Sequence, residues 1–282
     1  GRAEVDKEIY TSGRDFIVDS RKMLDEGKLI TVRTHTRFVH FPAHRHNFIE
    51  VLYVCEGSVT NIIDGKKVVV GKGELLFLNQ YTKHVLLPAG ESDISINFLI
   101  LPEFFDVTYS MAGRNNVLAD FLVNILRQDE EKGEYLYFRV AEVLQIQNLL
   151  ENMTRSLLNQ TRNSKRILQA TMGVLLMELS NRTYTITVGS PSSYESQIVL
   201  EALRYIEESY QTASLNKFCE HHNLPCYYVS RLMTQYSPYT FTKYLQRRRI
   251  LQAAYLLTET DTPIEQIVVE VGYENSSHFH KL

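Results

Sequence analysis

The sequence predicts an α+β protein. It begins with a small antiparallel β-barrel of the jelly-roll kind, continues as a helical segment, and ends in an all-α domain with two helix-turn-helix units. Three observations carry this reading. Short β-branched and aromatic runs fill residues 29 to 101. From about Val117 the hydrophobic period lengthens to that of a helix. Beyond residue 195, pairs of short helical segments are broken by tight turns. The expected boundaries are 1–104 for the barrel, 105–185 for the helical segment, 186–194 for a linker and 195–282 for the C-terminal domain.

The strand candidates come first. Leu29–Val32, Phe48–Val54, Val68–Val70, Leu75–Leu78 and Ile94–Phe98 have strand length and strand composition. Turn signals stand between them at Glu56-Gly57, Asp64-Gly65, Gly71-Lys72-Gly73 and Pro88-Ala89-Gly90. Asp64-Gly65 between two apolar runs marks a hairpin. Several short strands at this spacing suit a small barrel.

In the helical segment, Val143, Ile146, Leu150, Met153 and Leu157 recur at steps of three and four, and Leu168, Met172, Leu175 and Leu179 repeat the stripe. Two helices packed on the barrel and a dimer face are both compatible with this pattern. Thr183–Tyr194 is polar, β-branched and punctuated by Gly, Ser and Pro, and reads as a linker.

In the last domain, Val199, Ala202, Leu203, Ile206 and Tyr210 form one helix face. Ser214 caps Leu215–His222, Asn223-Leu224-Pro225 breaks the chain, and Tyr227–Thr234 follows: a helix-turn-helix, whose second helix is the one that enters a major groove. A long helix over about Thr240–Thr258 buries Phe241, Tyr244, Leu245, Leu251, Ala254 and Leu257. Thr262-Pro263-Ile264-Glu265 combines an N-cap, a first-position proline and a capping-box carboxylate. That helix ends at Gly272, and Ser276 opens another, completing a second unit on the same plan.

Composition fits a soluble globular chain, with 44% hydrophobic and 22% charged residues, and no apolar run reaches membrane-spanning length. Cys55, Cys219 and Cys226 form no paired framework and no zinc-ligand spacing, which points to a reducing, cytoplasmic setting. The net charge of −3 argues against a nucleic-acid partner, and in residues 191–282 eight Lys and Arg face ten Asp and Glu. Against that, Arg247-Arg248-Arg249 stand together near the expected reading helices.

The run Ala253, Leu256-Leu257, Thr260-Asp261, Ile264, Ile267, Val271-Gly272-Tyr273, Ser277 and Phe279 resembles, in identity and spacing, the signature of AraC/XylS-family transcription regulators. Tyr228–Leu232 and Thr240-Phe241 with Tyr244-Leu245 resemble that family's first unit and central helix, so the likeness covers about Gln197–Leu282. It implies a homodimer that binds double-stranded DNA, with the two units about one helical turn apart on one face of the duplex. Position by position, it implies DNA contacts from Tyr227, Ser230 and Arg231 in the first unit. In the second it implies Ser276, Ser277, His278, His280 and Lys281. Arg231 is the foremost of these, because its fork matches guanine O6 and N7. Pro225-Cys226 replaces the family's Ser-Pro opening and removes a capping hydroxyl. The family pattern continues beyond the position of Leu282 with a basic stretch and a last helix, so the second unit is expected to be incomplete in this sequence.

His44, His46 and Glu50, with His84 beyond Gly73, resemble the metal-binding motif of the cupin superfamily, and His44 and His46 share one face of a strand. Sensor domains of AraC-type regulators keep such a stretch while binding an organic effector, so no metal ligand and no cofactor is assigned, and no enzyme activity is expected. The effector candidates are Arg33, His35, His44, His46, Tyr53, His84 and Asn97, polar groups suited to a cup-shaped site, with a carbohydrate implied by resemblance alone. The rival readings are a metal-dependent cupin enzyme fused to a helical domain and an interaction adaptor that no longer binds DNA.

Overall fold

The computed structural model describes residues 5–12, 16–107, 122–123, 126, 133–189, 193–237, 239–273 and 279. The chain divides into two compact units, the second taking over at Tyr194.

The first unit is a two-sheet β-sandwich with helices. Its strands are β1 (Ile17–Val18), β2 (Ile30–Thr34), β3 (Phe41–His46), β4 (Ile49–Glu56), β5 (Ser58–Ile63) and β6 (Lys66–Gly71). β7 (Leu75–Leu78), β8 (His84–Leu86), β9 (Ile94–Ile100), β10 (Tyr135–Phe138) and β11 (Ile186–Gly189) complete it. One sheet runs β1-β3-β8-β5-β6 and the other β11-β10-β7-β4-β9-β2. All pairings are antiparallel except β1 with β3. The α+β class holds, and the jelly roll takes the form of two stacked sheets that do not close into a ring.

Alternation builds the core. Leu52 and Val54 of β4 and Leu76 and Leu78 of β7 meet Val59, Ile63, Val68 and Val70 from the other sheet. The β5–β6 hairpin turns at Asp64-Gly65, both at positive φ (49° and 74°), the backbone that a two-residue hairpin turn of this hand demands. Two of the expected boundaries change here. β10 lies within the 105–185 segment expected to be helical, and β11 lies within the expected linker 186–194. Ile186–Gly189 pairs along its whole length with Tyr135–Phe138, because its alternating β-branched residues give the sheet a ready edge.

Before the two heptad-striped helices come α1 (Lys7–Tyr10) and α2 (Ser20–Met23). The striped pair is α3 (Leu144–Leu158) and α4 (Ser164–Ser180). Ile146, Leu150 and Met153 are buried from α3, and Leu168, Met172, Leu175 and Leu179 from α4.

The second unit is all helical where described: α5 (Ser193–Ser209), α6 (Leu215–His222), α7 (Cys226–Tyr236), α8 (Phe241–Glu259) and α9 (Ile264–Glu270). Ser214 Oγ accepts the Lys217 N–H at 3.2 Å, the N-cap the sequence predicts, and Thr240 Oγ1 likewise accepts that of Lys243 at 3.3 Å. Asn223 closes α6 at φ 52°, and Pro225 precedes α7 with no capping side chain.

Two details of this unit differ from the sequence reading. Thr262 does not cap α9: the cap position falls on Pro263, and the Thr262 amide and hydroxyl are both bonded to Thr260 Oγ1. In the second half of α8 the buried residues are Ala253 and Leu256, while Ala254 and Leu257 face outward. The true helical steps from Leu245 run through 249 and 253 to 256, one residue out of phase with the expected stripe.

Gly272 ends α9 at φ +93°, and a Cβ there would meet the Gln211 carbonyl oxygen at 2.2 Å. Backbone hand and space both require glycine. Gly272→Ala is expected to destabilise the second unit by about 2–4 kcal/mol, through positive-φ strain plus a clash against backbone. Thermal denaturation checks this, and a melting temperature within a degree or so of wild type would contradict it.

Candidate functional site

The histidine cluster of the first unit owes its geometry to an irregular strand. β3 pairs with β8 at Phe41↔Leu86 and His44↔His84, with a bulge between the two positions. The bulge absorbs the odd step from 41 to 44, so Phe41, His44 and His46 all face the interior. From the opposing sheet, Glu50 lies on the same inner face of β4 as Leu52 and Val54. The imidazoles of His44, His46 and His84 come together with centroids 4.2–5.0 Å apart. One ligand nitrogen from each lies within 4.8 Å of the other two. All three rings and Glu50 are buried.

Hydrogen bonds fix the tautomers at two of these rings. His44 Nδ1 donates to the Pro42 carbonyl at 2.8 Å, and His84 Nδ1 to Asn61 Oδ1 at 2.9 Å. Each Nε2 therefore keeps its lone pair. His46 Nε2 stands 3.3 Å from Glu50 Oε2, and His84 Nε2 stands 3.8 Å from the same oxygen. Asn97 links the next layer, donating to Glu50 Oε1 and meeting His35 Nδ1 at 3.1 Å through its oxygen.

Burial dominates the electrostatics. It lowers His35, takes His44 down to about 4 and holds His46 and His84 well below the ordinary imidazole value. It raises Glu50 to about 7. With His46 neutral, its close approach to the only partly ionised Glu50 near neutral pH is not an ion pair.

A cavity of about 300 Å³ opens beside the cluster. Arg33, His35, His44, His46 and Asn97 line it, with Glu50 and the rings of Phe41 and Phe48. Arg33 is anchored to the Met23 carbonyl at 2.9 Å. His84 stands behind His44 and His46 instead of on the wall. Tyr53 is a correction: the strand period of two turns it away from Glu50, and its hydroxyl bonds Gln147 of α3. Glu50, absent from the expected effector set, is the residue the cluster is built around, and its place in the His44-x-His46-x-x-x-Glu50 run was the available signal.

In the second unit, α7 presents Tyr227 (78% exposed) and Arg231 one turn apart on its outer side, with Ser230 half-buried between them. Arg231 lies 3.7 Å from Glu195 and 5.2 Å over the Tyr228 ring. Glu195 also accepts the hydroxyls of Tyr228 at 3.3 Å and Tyr236 at 2.9 Å. The arginine triplet is less available than the sequence suggests. Arg248 pairs with Glu207 at 2.6 Å, and Arg249 donates to the carbonyls of Tyr210 and Gln211. Ser276, Ser277, His278, His280 and Lys281 lie outside the described residues.

Residues 27–186 match the AraC-like ligand binding domain, and residues 218–282 match a helix-turn-helix domain. The chain belongs to the AraC family. It is 23% identical over 243 residues to the HTH-type transcriptional activator RhaR of an Enterobacter species, covering 85% of this chain and 81% of that one. RhaR of Mannheimia succiniciproducens is 22% identical over 256 residues, covering 91% and 87%. Among solved structures, apo ToxT from Vibrio cholerae matches at a TM-score of 0.44 and 12% identity, covering 92% and 93%.

As an AraC-family member the chain is a DNA-binding transcription regulator with an N-terminal ligand-binding domain. That domain's match runs through α3, α4 and the start of β11, well past the boundary expected at residue 104.

Four imidazoles buried in their neutral form give the first unit a definite pH response. Between about pH 4 and 6.5 the unfolded chain binds protons at these sites that the folded chain does not, so stability rises with pH there. Glu50, held up to about 7, acts in the opposite direction but is one group against four. Denaturant unfolding in the presence of a chelator is therefore expected to show the first unit gaining stability from pH 4.5 to 6.5, with a shallower slope in His84→Gln. A flat profile would contradict the buried, neutral cluster.

Proposed function

We propose that the first unit binds a small polar organic effector, carbohydrate in class, in the cavity beside the histidine cluster, and that binding alters how a homodimer engages DNA. The supporting observation is that cavity itself. It joins hydrogen-bonding groups (Arg33, His35, Glu50, Asn97) to two phenyl rings (Phe41, Phe48), a lining suited to a polyhydroxylated ring. The homodimer reading draws on α4, where Ile167 and Val174 are exposed one heptad apart. The setting is the cytoplasm, where a DNA-binding regulator meets its operator; no described helix is long and apolar enough to cross a membrane.

In the second unit, Tyr227, Ser230 and Arg231 are the DNA contacts of the first helix-turn-helix, with Arg231 reading a guanine edge. Ser276, Ser277, His278, His280 and Lys281 serve the second.

Genome-wide footprinting supplies the operator and, through the neighbouring genes, the candidate sugars. On the strongest site, Arg231→Ala is expected to lower affinity roughly 5–150-fold, the value of a bidentate base contact, and to relax preference at one base pair. Unchanged affinity in a quantitative gel shift would remove Arg231 from the interface. Asn97→Ala, which breaks the His35–Asn97–Glu50 chain, is expected to abolish the response to the effector while leaving effector-free DNA binding intact. A normal response would place the effector elsewhere.

A further inference from the structure

A second cavity, of about 340 Å³, lies on the outer face of the sheet that carries β3. β3 turns His44 and His46 inward, so Arg45 between them points the other way. β1 sets Ile17 beside Arg45 in parallel register, and the Phe16 carbonyl accepts the Arg45 N–H at 3.1 Å. On the other flank, the antiparallel pairing His44↔His84 brings Lys83 opposite Arg45 one step on. The turn before Lys83 is pinned at both ends. Asn79 Oδ1 accepts the Tyr81 N–H at 3.2 Å, and the Thr82 hydroxyl donates to the Glu134 carbonyl at 2.7 Å. Arg45, Lys83 and Tyr81 thus close on one space, with Phe16 and Ile17 as its apolar wall.

Like charges opposite one another on neighbouring strands weaken a sheet. Elsewhere in this unit cations are matched: Arg21 with Asp19, Lys72 with Glu56, Arg155 with Glu151 and Arg182 with Glu178. No Asp or Glu lines the second cavity among the described residues. Within those residues, the Arg45 and Lys83 charges and the Tyr81 hydroxyl also have no hydrogen-bond or ion-pair partner. We propose that this cavity is a second ligand site, which takes the carboxylate or phosphate of a small organic anion between Arg45 and Lys83. The arginine fork suits two oxygens of either group, the tyrosine hydroxyl can donate to a third contact, and Phe16 and Ile17 cover an apolar body. The volume is that of a small-molecule site. His44 lines this cavity and the effector cavity alike, but Arg33, His35 and Asn97 belong to the effector cavity alone. The anion site therefore stands independently of the effector reading given above.

The test titrates the full chain calorimetrically with inorganic phosphate, phenyl phosphate and benzoate, each against sodium chloride at equal ionic strength. One saturable site per chain is expected, with at least one aromatic probe roughly 10-fold or more tighter than inorganic phosphate; the tighter of the two tells phosphate from carboxylate. Arg45→Gln and Lys83→Gln are each expected to weaken that probe roughly 10–100-fold, the value of a charge-assisted hydrogen bond. Without ligand, Lys83→Gln should melt about 1–3 °C above wild type, because the cross-strand repulsion is gone. Loss of anion binding in a variant that is itself more stable excludes misfolding as the cause. Equal affinity in wild type and Arg45→Gln would overturn the site, as would chloride matching the probes. Inorganic phosphate binding as tightly as both aromatic probes would overturn the organic class. Anion binding lost in Asn97→Ala would move the anion to the effector cavity, overturning the second site and leaving the effector reading standing.

Discussion

The first unit depends on one local departure from regular pairing, the bulge in β3 between Phe41 and His44. A regular strand alternates faces, so it cannot direct both position 41 and position 44 inward. With the extra residue absorbed, Phe41 packs into an apolar cluster with Val18, Leu86 and Leu99, while the two histidines that follow turn toward β8 and β4. The same bulge leaves the Pro42 carbonyl at hydrogen-bond distance from the His44 ring. The core, the orientation of the cluster and the wall of the cavity all follow from that inserted residue.

Polar groups at this depth carry an energetic burden that hydrophobic residues would not. The four histidines and Glu50 sit where a jelly roll could hold leucines, and burial drives each toward its neutral form. The chain Glu50–Asn97–His35 and the pair His84–Asn61 offset part of that cost by satisfying one side of each group. The interior beside the cavity is thus held by directional bonds as well as by close packing.

Much of this was legible in the sequence, and the failures have physical causes. The helix stripes, the Asp64-Gly65 hairpin and the cap at Ser214 rest on short-range chemistry that the sequence carries locally. β10 and β11 do not. Tyr135–Phe138 and Ile186–Gly189 become strands by pairing with each other and with β7, partners far away in the chain. Tyr53 was placed in the effector set by residue type, and only strand register shows that it faces α3. Thr262 had the right residue and spacing for a cap, but its amide and hydroxyl were already engaged by Thr260. The Arg247–Arg249 run stood out as basic charge near the reading helices, yet Arg248 and Arg249 tie α8 to Glu207 and to the Tyr210 and Gln211 carbonyls.

Glu195 collects three partners on one carboxylate: the hydroxyls of Tyr228 and Tyr236 and the guanidinium of Arg231. This divides α7 lengthwise into a moored side and a free side. Val229, Leu232, Met233 and Tyr236 are moored by the core or by Glu195, and Arg231 is tied to the same carboxylate, whereas Tyr227, Thr234 and Gln235 are exposed. Exchanges on the projecting side fall in the class of surface substitutions that shift folding by about 0.5 kcal/mol or less. The helix is thus a cassette: its outer residues can be rewritten, by selection or by an engineer, without disturbing the mooring that holds it in place.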